Sequence, residues 1–300
     1  MHTLRALICL LIIAAAGCFP PREKVVPPPP PVQGDILKSL GLNIQLERSN
    51  ELVLNNGKDS VSLFKESTGI KFNGTYVYLP DPVTVSPENR WEISATSAKM
   101  LFEPLLERRK FPVSVIVIDP GHGGHDAGAV SVHGSAEKNL NLLLATNVAS
   151  ELRKKGFKVF MTRDKDKFIS LAERPAAAEK FKADLFISIH HNAAVSTAAA
   201  GFEIFLPAPR SEKDIARAAQ GADLALILYN KLAPINVFQG RGVKNADFKV
   251  LRLAPCPALL IEAGFLSHPV ESAYMGTNHF RKSFAAALAD GIATFVTETK

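Results

Sequence analysis

Hydrophobic and polar positions follow two different rhythms along this chain, and the change comes near residue 110. From Asp35 to Glu107, short alternating pieces such as "ELVLNN", "SVSLFK" and "TYVYLP" are separated by the turn signals "NNG" and "NG". That spacing predicts a small β-rich unit of hairpins, closed by a short helix near Ala95 to Leu106. Beyond Phe111 the pieces lengthen. "VSVIVID" is a near-continuous β-branched run, the pattern of a strand covered on both faces. "EKNLNLLLATNVASELRKKG" places Leu140, Leu144, Val148 and Leu152 at spacing four, ends in Arg153, Lys154 and Lys155, and stops at Gly156. This predicts an amphipathic helix with a basic last turn and a glycine beyond it. Strands are predicted at "FKVFMTR", "DLFISIHH", "GFEIFLP", "FKVLRL" and "PALLIEAGF", with helices at "SLAERPAAAEKFK", Glu212 to Lys231 and His279 to Val296. The alternation predicts an α/β fold, a layered αβα sandwich around a mostly parallel or mixed sheet, preceded by the small β-rich domain.

The N-terminal stretch fits neither rhythm. "MHTLRALICLLIIAAAGC" has a short start carrying Arg5, an apolar run from Ala6 to Ala16, and small residues leading into Gly17 and Cys18, which is a secretory signal layout. The run is shorter than the about 20 apolar residues that a spanning helix needs. Its "AAAGC" ending resembles the bacterial lipoprotein signal, in which the cysteine becomes the lipid-modified first residue of the mature chain, although Ala15 stands where that pattern most often has Leu. The plainer alternative is an ordinary cleaved signal with an incidental cysteine. On the first reading Cys18 is the lipid attachment site, and the protein is exported and anchored to a membrane, facing the periplasm or cell envelope. "FPPREKVVPPPPPVQG" follows, and its prolines Pro27 to Pro31 predict an extended spacer of about 3.1 Å per residue. The expected organisation is a signal over 1–18, a proline-rich linker over 19–34, the β-rich domain over 35–110 and a catalytic domain over 111–300.

Composition narrows the partners. The chain is 47% hydrophobic, enough to bury a substantial core, and carries a net charge of +6. Its basic residues are interspersed with acids, without the basic run or basic–aromatic interleaving of a nucleic-acid binder, so an anionic wall polymer fits and no nucleic-acid partner is expected. Of three cysteines, Cys9 and Cys18 lie in the signal and Cys256 is left alone, so no internal disulfide is available and stability must come from packing. Cys256 reads as a small buried residue, since no activating partner can be named.

In open α/β sheets, ligands bind beyond the carboxyl ends of strands. His122, the His190–His191 pair and Glu262 fall at or just past such ends, and Glu137 opens a helix, where its charge is favoured by the helix dipole alone. Each is ordinary by itself: a solvated turn histidine, a capping carboxylate, a satisfied strand end. Together, two histidines and one carboxylate make a three-ligand set suited to catalytic zinc with an open fourth position, although the same set also suits non-haem iron. At this level His122 competes with His125, and His190 with His191. Phe186, Ser188 and His190 share one strand face while Ile187, Ile189 and His191 share the other, which does not say which face meets the metal.

Four separated segments in order, "IDPGHGGHDAGA", "EKNLNL", "TRDKDKFISLAERPAAAEKFKADLFISIHHNA" and "RGVKNADFKVLRLAPCPALLIEAGFLS", resemble the motifs of zinc-dependent N-acetylmuramoyl-L-alanine amidases, from about Val113 to the C-terminus. The resemblance implies a peptidoglycan hydrolase that cuts between N-acetylmuramic acid and the L-alanine of the stem peptide. It implies one Zn2+ held by His122, Glu137 and His190, with Glu262 as the catalytic acid–base residue, and it makes His125 and His191 neighbours of the site. A peptidoglycan-binding lipoprotein without turnover and a different zinc hydrolase of wall material are the competing readings. His268 stands where the family commonly has Asn, which implies an altered loop contact. The stretch between Leu206 and Arg241 is short for both a fold helix and the inhibitory insertion of some members. Asp119, Arg174 and Asn192 read as turn capping, helix ion pairing and loop hydrogen bonding, and Glu203 as a residue near the groove. The β-rich unit resembles the small stalk domain found at the N-terminus of copper amine oxidases and ahead of some wall amidases, which implies spacing or wall attachment and no chemistry.

Overall fold

The computed structural model describes residues 31–32 and 41–297; the expected signal, Cys18 and most of the linker lie outside the described residues. The N-terminal strands are β1 (Pro31–Val32), β2 (Asn43–Glu47), β3 (Glu51–Asn55), β4 (Ser60–Phe64), β5 (Gly69–Phe72), β6 (Thr75–Tyr78), β7 (Thr84–Val85) and β8 (Trp91–Ser94). Three short helical segments, Ala95–Ser97, Ala98–Phe102 and Glu103–Glu107, then run on as α1. The layered part follows as β9 (Val115–Pro120), α2 (Glu137–Lys154), β10 (Lys158–Met161), α3 (Glu173–Lys180), β11 (Leu185–Asn192), β12 (Glu203–Pro207), α4 (Glu212–Leu232), β13 (Val243–Ala246), α5 (Lys249–Arg252), β14 (Ala258–Phe265), α6 (Pro269–Met275) and α7 (Asn278–Thr297).

The strand order β10-β9-β11-β14 is parallel throughout, and β9 is buried along all but its first residue because helices cover both of its faces. The stripe Leu140, Leu144, Val148 and Leu152 of α2 is buried as its spacing predicts, against the same core that receives α4 and α7. Each such side chain contributes about 1.5–3 kcal/mol through the area it removes from water. On the opposite face a second apolar cluster joins Val117, Phe186 and Leu260 to α3 and α5. The stretch "FKVLRL" is a helical turn, not the strand its composition predicts. Val250 and Leu251 are consecutive, yet both enter this one cluster; a strand would send them to opposite faces, whereas a helical turn brings both to the same side.

Beyond β14 the sheet turns mixed. β12 is antiparallel to β14, β13 is parallel to β12, and Val243 of β13 pairs with Val77 of β6. From there the antiparallel meander β6-β5-β4-β3-β2 completes an eleven-stranded sheet, while β1, β8 and β7 form a separate small one. The β-rich unit is thus joined edge-on to the layered part. A charged cluster reinforces the junction: Arg108 pairs with Asp59 ahead of β4 and lies 3.4 Å from Asp223 of α4, and Lys110 Nζ lies 2.8 Å from the other oxygen of Asp223.

Directly paired residues on neighbouring strands point to the same side. Ser188 and His190 of β11, Leu260 and Glu262 of β14, and Glu203 and Phe205 of β12 therefore share the face that carries α3 and α5.

Candidate metal centre

The chain leaves β9 at Pro120 and turns through His122, which adopts a left-handed φ of +59°. That conformation is costly for a residue with a side chain, so the surroundings must hold it. Two buried arginines do so. Arg174, from α3, donates to the carbonyls of Pro120 (2.8 Å) and His122 (3.0 Å) and to Asp119 Oδ1 (2.9 Å). Arg163 donates to the carbonyls of Pro120 (3.0 Å), Gly121 (2.7 Å) and Lys138 (2.8 Å). Asp119, fully buried, also accepts from Thr162 Oγ1 at 2.6 Å and Ser188 Oγ at 2.8 Å. Glycine is required in the turn by close approach: a Cβ on Gly121 would lie 2.2 Å from the His190 ring, and one on Gly128 would lie 2.6 Å from Glu137 Oε2 and 2.7 Å from His122.

Glu137 opens α2 and turns back over this loop. It accepts from Ala129 N at 3.0 Å and from Asn141 Nδ2, one helical turn on, at 3.0 Å. Its two oxygens also reach both candidate rings: Oε2 lies 3.2 Å from His122 Nε2 and Oε1 lies 3.0 Å from His190 Nδ1. The His122 and His190 rings meet edge to face at 5.0 Å. One donor atom from each of His122, Glu137 and His190 falls within 4.8 Å of the others, so the three can hold one metal ion. Glu262 stands beside them as the strand partner of His190. His122, Glu137, His190 and Glu262 line one cavity of about 430 Å3, with Leu171 and Phe248 on its apolar side.

The electrostatics are those of a site built for positive charge. Burial opposes charging His122, but hydrogen bonding to Glu137 and its charge, with help from Asp126, outweigh burial and raise the ring pKa to about 9. Asp126 Oδ2 lies 2.9 Å from His122 Nδ1, an ion-pair distance whose alignment falls short of a hydrogen bond. His190 is raised in the same way, burial being outweighed by Glu137 and Glu262. Burial pushes Glu137 up, but the two imidazoles hold it well below the usual carboxylate range. Glu262 is different: burial pushes it up to about 7, with Glu137 and Glu203 adding to the rise and His190 opposing it.

The remaining sequence candidates fall around this centre. His125 is exposed on the same loop and stacks on Phe168 at 4.1 Å. His191 points to the other sheet face, bonded to Asn141 Oδ1 at 2.7 Å and pushed by burial to a pKa of about 4. Asn192 donates to Glu203 at 2.9 Å. His268 caps α6 by accepting from Glu271 N at 3.3 Å. Cys256 is buried and free, its thiol pushed up to about 12 mainly by burial. Sequence reasoning missed Arg163 and Asn141. Asn141 had a readable signal, four residues after Glu137 on one helix face; Arg163 had none, since the carbonyls it holds at this site lie 25 to 43 residues away in the chain.

The family described as N-acetylmuramoyl-L-alanine amidase matches residues 116–294, the layered part that carries every residue of this centre. N-acetylmuramoyl-L-alanine amidase AmiA of Escherichia coli (strain K12) is 32% identical over 218 residues, covering 60% of this chain and 75% of that protein. The catalytic domain of CwlV, an N-acetylmuramoyl-L-alanine amidase from Bacillus (Paenibacillus) polymyxa, superposes with a TM-score of 0.55 at 34% identity, over 61% of this chain and 98% of that one. The N-acetylmuramoyl-L-alanine amidase of Clostridium difficile 630 gives 0.57 at 30% identity, over 63% of this chain and all of that one. With motif order, strand topology and sequence match covering the same residues, this chain belongs to the N-acetylmuramoyl-L-alanine amidase family.

Proposed function

We propose that the protein hydrolyses the amide between N-acetylmuramic acid and the L-alanine of the peptidoglycan stem peptide, with one zinc ion held by His122, Glu137 and His190 and with Glu262 moving the protons. The observation that carries this reading is Glu262 Oε2, a buried carboxylate oxygen without a hydrogen-bond partner among the described residues, beside the His–Glu–His cluster and in the same cavity. A buried polar atom left unpaired is costly, so its retention calls for a partner from outside the chain. The donor set fits a dication by charge as well. Glu137 draws positive charge onto both rings, raising their pKa values, and a dication between the same carboxylate and neutral rings would meet the same attraction.

When bound, zinc supplies Lewis acidity toward the scissile carbonyl and a water acidified to a pKa of about 7. Glu262 takes the proton from the attacking water and gives it to the departing amine of L-alanine. A carboxyl near 7 suits both halves of that task, accepting and releasing a proton at neutral pH with little penalty either way. His191 and Asn141 fix the orientation of Glu137, and Arg174 and Asp119 fix that of His122. Leu171 and Phe248 form an apolar wall beside the reacting bond.

The proposed setting is the cell envelope. Residues 1–18 serve as a lipoprotein signal, Cys18 carries the lipid, residues 19–34 are the spacer, and 35–110 and 111–300 are the β-rich and catalytic units. Among the described residues no helix is long and apolar enough to cross a membrane. Incubating the protein with purified peptidoglycan tests the activity. The expected products are glycan strands whose N-acetylmuramic acid residues carry a freed carboxylate and stem peptides with a new L-alanine amine, lost with a chelator and restored by zinc. A new acetate or a peptide-internal amine would contradict the proposal.

A further inference from the structure

The face of the sheet that carries Glu262 continues past α5, which packs on β12, into the β-rich unit. Glu203 of β12 pairs with Glu262, Phe205 pairs with Lys244 of β13, and Val243 pairs with Val77 of β6. Lys244 therefore shares the face of Glu203 and Glu262, and Tyr76 and Tyr78, flanking Val77, share it too. At this end of the sheet Tyr76, Tyr78, Gln239, Arg241 and Lys244 line a second cavity of about 320 Å3. The tyrosine rings stack at 6.3 Å, and Lys244 Nζ lies 5.3 Å from the Tyr78 ring. Both cations are held by Glu203: Arg241 through Nε at 2.8 Å, and Lys244 at 2.5 Å. Glu203 is buried beneath them and is the one carboxylate within ion-pair distance of either among the described residues. Arg241 uses Nε for this contact, and its terminal amino groups have no carboxylate partner among the described residues.

We propose that Tyr76, Tyr78, Arg241 and Lys244 form a remote subsite for a carboxylate of the acidic stem peptide; the inference rests on the amidase reading above. Neighbouring strands lie about 4.8 Å apart, so the three steps from β14 to β6 amount to about 14 Å. An extended peptide covers at most about 3.3–3.6 Å per residue, which places the subsite about four residues from the amide at Glu262. A guanidinium with free terminal donors recognises a carboxylate through charge-assisted, directional bonds, and the tyrosine pair gives the peptide a flat apolar wall. The β-rich unit, which carries no residue of the metal centre, thereby completes the substrate groove.

Three synthetic N-acetylmuramoyl peptides test this: one with a two-residue stem, one with a four-residue stem bearing free carboxylates, and the same four-residue stem with those carboxylates amidated. For the wild-type protein, kcat/KM for the free acid exceeds that for the amide by about tenfold, the scale of one charge-assisted contact. Arg241→Gln cuts this preference to about twofold, through KM more than kcat. Tyr76→Ser, at a half-exposed position that leaves the Glu203 pairs in place, reduces kcat/KM for both four-residue stems relative to the two-residue one. Equal rates for acid and amide in the wild type would overturn the subsite alone, as would an acid preference that survives Arg241→Gln. Failure of the wild type to release N-acetylmuramic acid from any of the three would overturn the amidase reading and the subsite with it.

Discussion

The two ends of this one sheet use the same backbone geometry for different ends. In β10-β9-β11-β14 every strand runs the same way, so the carboxyl ends of β9, β11 and β14 open at one edge, and His122, His190 and Glu262 meet there although 140 residues separate the first from the last. In β2 to β6 direction alternates, and Leu52, Leu54, Val61 and Leu63 face the core while their neighbours face outward. No edge there collects chain ends, and its buried charge, Asp59, serves the junction with α4 through Arg108. Parallel pairing concentrates chemistry; the meander supplies extent.

The largest expected effects lie at the parallel end. His122→Ala loses both bound zinc and turnover, whereas Glu262→Gln keeps zinc and loses about 10²–10⁴ in kcat, the range for a missing general acid–base group. Metal analysis beside a muropeptide assay checks both. A Glu262→Gln protein turning over at the normal rate would remove Glu262 from the chemistry.

The next comparison sets two arginines against each other. Arg174→Met leaves the buried charge of Asp119 without its ion-pair partner, only hydroxyl donors remaining, and frees the His122 carbonyl, so it costs about 3–5 kcal/mol of stability and weakens zinc binding. Arg108→Met takes the ion-pair partner from Asp59 while Asp223 keeps Lys110, and the Arg108 side chain is partly exposed, so the cost is nearer about 2–3 kcal/mol with zinc affinity unchanged. Denaturant unfolding and zinc titration separate the two. Equal effects on zinc would erase the distinction between the ends.

How much of this could be read from sequence differs between the ends in the same way. The stripe of α2 and the apolar run of β9 announced themselves, because burial on both faces or on one helix face leaves a period in the chain. "FKVLRL" misled, since its β-branched and apolar composition is shared by a strand and a short buried turn. Residue type and strand-end position pointed to a set of two histidines and one carboxylate, but choosing His122 over His125 and His190 over His191 needed the motif resemblance, because the backbone turn at Gly121 and Gly128 leaves no periodic mark and strand alternation does not say which face meets the metal. The Arg163 and Arg174 clamp and the Val77–Val243 join were illegible, being contacts between distant segments whose residues are individually unremarkable.

A smaller effect follows from pH. In the metal-free protein the His122 pKa is raised to about 9 from an ordinary 6.5, so its contribution to stability is complete below about 6.5 and is lost as pH rises through about 9. The metal-free midpoint of thermal unfolding therefore falls across that window, while zinc, which replaces the ring protons, flattens the fall. A metal-free midpoint that stays level from pH 6.5 to 9 would contradict the charge balance assigned to Glu137. Smallest of all is His125→Ala on the same loop, which changes zinc affinity by less than about threefold, as for a surface substitution.

The most direct test of the account is anomalous diffraction at the zinc edge from crystals of the zinc-loaded protein. A single peak within bonding distance of His122, Glu137 and His190, with Glu262 beside it, is the predicted result. A peak ligated by His125 or His191, or none among these three side chains, would contradict it.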